Sequence, residues 1–207
     1  MHRYFFTTKD TFINSGSDSI TGEDFKDKNT GQDEILELKK VFFDRTFSYQ
    51  TRVLLQFDVD EIESYISSSV LPNDYQLNLR LYETEGTSGL SEEYTIAAYP
   101  LSQSWDEGIG KESDVPKTTE GCSWAFSKNN QGVEVKWNAY SSSISSSVDE
   151  GGDTINTTST FTSSFVDGNQ ISEGSFIEDD EATQVFSTES PDLNMDITTI
   201  ANKWFGG

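Results

Sequence analysis

Val53-Leu54-Leu55-Gln56-Phe57-Asp58-Val59 decides the fold class. Val53, Leu55, Phe57 and Val59 recur at period two, so one face of an extended strand is apolar. Leu77, Leu79 and Leu81 repeat the pattern, with Asn78, Arg80 and Tyr82 opposite. Further strands are expected over 35–38, 41–43 and 94–99. Alternation of this kind marks antiparallel sheets with one solvated side. Turn formers punctuate the strands at Asn14-Ser15-Gly16-Ser17, Thr30-Gly31, Pro72-Asn73-Asp74 and Glu85-Gly86. Short strands at such spacing predict an all-β sandwich or barrel.

Two helical segments interrupt the strands. Over 60–66 the helical period brings Ile62, Tyr65 and Ile66 together, and over 196–204 it aligns Ile197, Ile200, Ala201 and Trp204. Asp196 at the start, Lys203 in the last turn and Gly206 beyond suit the ends of a helix dipole. Residues 138–190 are rich in Ser, Thr and Gly, a composition that marks long polar loops. Ile155, Phe161, Phe165, Ile171, Phe176, Val185 and Phe186 recur through it, so short polar strands are expected between those loops.

The chain has 207 residues, enough for one large domain or two small ones. Aromatic residues make up 13%, which excludes a disordered chain and predicts an aromatic core. The net charge is −22, from 14 bases and 36 acids. That sign repels phosphate backbones and anionic lipid, so neither nucleic acid nor membrane is an expected partner. The excess is localised: no Lys or Arg occurs between Lys136 and Lys203, a span with twelve acids. Solubility is the plain reading of such a field, and cation binding the sharper one. One cysteine, Cys122, excludes an internal disulfide framework. Met1 to Phe6 lead straight into Thr7, Thr8, Lys9 and Asp10 without an apolar run, so no signal peptide is expected. Synthesis in a cytoplasm without ordinary export is therefore the expectation.

Catalytic groups are few. His2, the single histidine, sits at a terminus, and Cys122 has no second histidine to activate it. Gly108-Ile109-Gly110-Lys111 resembles a nucleotide loop in outline. A phosphate loop needs Gly at 105 and Ser or Thr at 112, where Trp105 and Glu112 stand. Carboxylates are too numerous for counting to identify a glycosidase pair. No enzyme is expected. Calcium takes oxygen ligands from acidic loops, which makes Asp58, Asp60, Asp149 and Asp153 the candidate metal ligands, without EF-hand spacing. Trp105 and Trp124 are candidates for stacking on sugar rings, with core packing as the competing role.

Several segments, in order, resemble one family. They are Thr8-Lys9-Asp10-Thr11-Phe12-Ile13-Asn14-Ser15-Gly16, Arg52-Val53-Leu54-Leu55-Gln56-Phe57-Asp58 and Leu77-Asn78-Leu79-Arg80-Leu81-Tyr82. Ser104-Trp105-Asp106-Glu107-Gly108, Gly121-Cys122-Ser123-Trp124 and the helix from Asp196 to Trp204 follow. Together they resemble the DNRLRE domain family over roughly residues 8–207, with 138–190 matching in style. The resemblance implies a single antiparallel, jelly-roll-like β-sandwich over residues 1–207, with one or two short helices and long polar loops. It implies one of two settings: virion structural proteins of tailed bacteriophages, or carbohydrate-binding modules. Missing export signal, missing catalytic domain and acidity favour the virion setting, assembled in the host cytoplasm. The expected partners are then other virion proteins and further copies of the chain in a symmetric assembly, with a host glycan as a further ligand. In the family a last strand follows the helix, whereas here the sequence ends at Trp204-Phe205-Gly206-Gly207. The expectation is a sandwich short of one strand, with an edge that another chain would complete.

Overall fold

A computed structural model describes residues 2–17, 22–43, 46–69, 74–84, 93–137, 141–143, 147–148, 154–155, 158–160, 175–177, 180–187 and 192–205. The elements run β1 (Thr7–Asn14), β2 (Lys40–Phe43), β3 (Thr46–Phe57), α1 (Val59–Ser69), β4 (Asn78–Leu81), β5 (Glu93–Ala98), β6 (Phe126–Asn130) and β7 (Val133–Lys136). They continue with β8 (Ser141–Ser143), β9 (Ser147–Val148), β10 (Thr154–Ile155), β11 (Thr158–Thr160), β12 (Ala182–Ser187), β13 (Leu193–Asp196) and α2 (Thr198–Phe205). The fold is all-β in character, with small antiparallel sheets and two short helices. No helix is long and apolar enough to cross a membrane among the described residues.

The chain divides into two compact units. One comprises Met1–Thr8, Gln56–Pro100 and Glu178–Gly207. Here β13 pairs with β4 and β12 with β5, both antiparallel. Leu79 and Leu81 turn inward while Asn78 and Arg80 stay exposed, as their alternation predicts. With Tyr94 and Ile96 they pack on the buried Phe186, Leu193 and Met195. Tyr94 and Phe186 stack with centroids 5.1 Å apart. The helix α2 buries Ile200 and Ala201, and its start is stitched to the approach of β4. The Ile197 amide donates to the Leu77 carbonyl and the Leu77 amide to Thr198 Oγ1, each at 2.9 Å. Both predicted helices are present, α1 longer than the expected 60–66 and α2 starting at Thr198, because Asp196 is taken up as the last residue of β13.

The second unit comprises Lys9–Leu55 and Leu101–Ile177. Its largest sheet has the order β1-β3-β2, and β6 and β7 form a separate hairpin. Ile13, Leu54, Trp105, Cys122 and Trp137 form the buried cluster, with Leu101, Trp124 and Phe176 packed on it. Leu54 corrects the period-two reading of its strand. It lies on the face expected to be polar, yet it is 2% exposed, whereas Val53 and Leu55 are half-buried. The reason is that this face meets the tryptophans supplied by Leu101–Ile177. Residues 35–38 form no strand. Thr51 Oγ1 donates to the Glu37 carbonyl and accepts from the Lys39 amide, so a hydroxyl takes the place of a neighbouring strand there. Ile35 and Leu38 remain exposed.

Candidate functional site

The most densely built place in the second unit centres on Asn29, which is 0% exposed. Its Nδ2 donates to the carbonyls of Glu107 (2.7 Å) and Cys122 (2.8 Å). Its Oδ1 accepts from the amides of Gly110 (2.8 Å) and Gly31 (3.2 Å), and its own amide donates to the Thr118 carbonyl (2.9 Å). One side chain thus satisfies four backbone groups from three separate loops. The loops approach so closely that only glycine fits. A Cβ on Gly31 would lie 2.0 Å from the Glu107 carbonyl oxygen, and Gly108 and Gly121 hold φ of 86° and 112°. Gly108-Ile109-Gly110 is therefore a seat for an asparagine, not for phosphate.

Around this hub, the tryptophans separate. Trp105 is 3% exposed, and Lys9 covers it with its ammonium 5.7 Å from the ring centroid. Burial leaves Trp105 no face for a sugar, which removes it as a stacking platform. Trp124 is half-buried, with the Arg52 guanidinium 5.0 Å from its ring and 5.4 Å from that of Phe176. Trp137, not singled out from the sequence, is 2% exposed and donates through Nε1 to the Ser123 carbonyl at 2.8 Å. Cys122 is buried, and desolvation pushes its thiol well above the ordinary range, so it stays unreactive.

Two of the four candidate metal ligands, Asp58 and Asp60, lie among the described residues. Asp58 Oδ1 accepts from the Glu61 amide at 3.0 Å, and its carbonyl accepts from the Ile62 amide. That is the work of an N-cap on α1. Asp60 is exposed in the first turn of the same helix, and Asp149 and Asp153 lie outside the described residues. Among the described residues no group of three or more His, Cys, Asp or Glu is arranged to hold a metal ion.

An acidic recess of about 410 Å³ lies beside the hub, lined by Phe12, Asp33, Glu34, Ile35, Glu37, Lys111, Glu112 and Ser113. Asp33 Oδ2 accepts from the Glu112 amide at 2.8 Å and fixes the rim. Burial and the neighbouring Glu37 raise the Glu112 carboxyl above its usual range, against the pull of Lys39. Burial opposes the Lys39 charge, but the Glu37 carboxylate 2.6 Å away outweighs it and raises the lysine. Such a recess suits a cationic side chain better than an anion. Neither the recess nor the hub was visible in the sequence. The one trace in the sequence is the glycine spacing at 108–110, which resembles a nucleotide-binding loop and carries no sign of an asparagine partner.

No protein-family model, curated protein or solved structure matches this chain.

Proposed function

We propose that this chain is a bacteriophage virion structural protein, an appendage or decoration component of head, neck or tail built on a jelly-roll-like β-sandwich of the DNRLRE kind. It works by protein–protein binding, with other virion proteins and further copies of itself as partners. What supports the reading is how the resembling segments meet. The segment opening at Thr8 lies in β1 beside β3, which carries Arg52 to Phe57. The Leu77 to Tyr82 segment contains β4, paired with β13, whose last residue Asp196 opens the late helix segment. Trp105 and Cys122, from the two tryptophan segments, share one core. Six stretches scattered along the chain are thus spatial neighbours in pairs, one pair in the first unit and two in the second. The reactive groups are used by that framework, and the acidic recess is left to meet cationic side chains of a partner. Quantitative mass spectrometry of purified particles tests the reading. A fixed ratio to the major capsid protein across gradient fractions is expected, and absence from particles overturns it.

The second reading is a non-catalytic carbohydrate-binding module. The half-buried Trp124 with Arg52 at its face favours it, because aromatic faces beside donors hold sugars. Calorimetry with host polysaccharides, on the wild type and on Trp124→Ala, separates the two readings. Heat that disappears in the variant would support the sugar.

A further inference from the structure

Among the described residues, the hairpin of β6 and β7 leaves the outer edge of β7 without a paired strand. Its turn, Gln131-Gly132, has φ of 50° and 84°, the left-handed pair that closes a two-residue hairpin. Asn130 faces Val133, Asn129 faces Glu134 and Lys128 faces Val135. Among the described residues β7 pairs with β6 alone, and all four residues of β7 are exposed. Val133 is 70% and Val135 43% exposed, two valines on one face of a strand.

Ladder alternation fixes which backbone groups are open. The extra residue of a register shift, Ser127, lies on β6 between Phe126, opposite Lys136, and Lys128, opposite Val135, so regular alternation is carried along β7: Val133 and Val135 turn their backbone groups to β6, and Glu134 and Lys136 turn theirs away from it. The Lys136 carbonyl accepts from Gln103 Nε2 at 3.1 Å and keeps a second lone pair. The other large sheet shows what a closed edge looks like. On β1 the Asp10 amide donates to Glu107 Oε1, and the Phe12 carbonyl accepts from Thr30 Oγ1. Open edges that face water are normally blunted, because they template pairing with another chain.

The geometry points to a second copy of this chain as the occupant of the β7 edge, paired antiparallel about a two-fold axis through Val135. In that register Val135 meets its own copy. Glu134 stands opposite Lys136 of the other copy, and Lys136 opposite Glu134, so both charged pairs are complementary. The outward backbone groups of the same two residues form the new ladder. Any copy of a chain with net charge −22 repels its twin, yet the 126–136 hairpin carries Lys128 and Lys136 against Glu134 alone. It is a place where the local charge does not add to that repulsion. The inference deepens the reading above, in which further copies of the chain are partners, but its test is separate from the particle, since the dimer forms in free solution.

Sedimentation velocity tests it over a series reaching about 1 mM, because a short edge makes a weak interface. The wild type is expected to show a concentration-dependent dimer. Glu134→Lys and Lys136→Glu, both at exposed positions, should each weaken it about tenfold or more by setting like charges opposite. An equimolar mixture of the two variants should restore association, because each then meets its complement. Circular dichroism verifies that both variants fold. As a second readout, Val135→Cys should cross-link into a disulfide dimer under mild oxidation, against a wild type whose single cysteine is buried. A monomeric wild type throughout the series, single variants that associate like the wild type, no rescue in the mixture, or no Val135→Cys cross-link would each overturn the proposal.

Discussion

The two units hold themselves together by different means. In the unit containing β4, β13 and α2, order follows repetition. Leucines at period two and a helix stripe at period 3.6 meet in an aliphatic and aromatic cluster. Each such contact is generic, and a neighbour of similar volume would serve. In the unit containing β1, β3 and β6, order also depends on one buried amide, Asn29, and on glycines at loop contacts that a Cβ would fill. No neighbour of similar size substitutes for four hydrogen bonds in fixed directions. The difference teaches that a very polar chain can still be well packed, provided its buried polar groups are satisfied.

The largest expected effect falls on the hub. Asn29→Ala leaves two carbonyls and two amides without their partner, and should cost about 4 kcal/mol in urea unfolding. Gly31→Ala should cost about 3 kcal/mol, because its Cβ meets backbone and not a side chain that can swing away. If either cost less than an aliphatic truncation, the contrast between the units would break. That truncation is Ile200→Ala in α2, expected at about 2–3 kcal/mol by loss of buried methyls. Asp58→Ala should cost about 1 kcal/mol, as removal of an N-cap does, with no change on adding calcium or a chelator. A calcium-dependent rise in melting temperature that vanishes in Asp58→Ala would give that carboxylate a metal role beside the cap.

The smallest effect depends on pH. Glu112 has a folded pKa above its ordinary value, so the unfolded chain ionises first as pH rises. Glu112 therefore lowers stability progressively from its ordinary pKa up to the raised one, and the loss persists above it. Glu112→Gln should raise the melting temperature slightly at neutral pH. That gain should vanish once the pH falls below the ordinary carboxylate range. A gain that grows on acidification would contradict the account of the recess.

Legibility followed the same division. The leucines at 77, 79 and 81 and the stripe from Ile197 to Ala201 were readable because burial there repeats along the chain. Leu54 was misplaced because period two assumes one solvated face, whereas distant tryptophans cover the other. The stretch 35–38 looked like a strand by composition, but the Thr51 hydroxyl satisfied its backbone instead. Asn29 carried no local signal, since its four partners come from residues 31, 107, 110 and 122. Trp105 as core and Trp124 beside Arg52 could be told apart only once the loops were placed.

The proposed function is binding within a phage particle. Immunogold labelling of intact particles, with antibody raised against the exposed strand β7 and against a second surface segment, tests it most directly. The account predicts label from the second antibody at one repeated position on every particle, with the β7 antibody excluded where β7 edges are paired. Particles that bind neither antibody, before or after gentle disassembly, would contradict it.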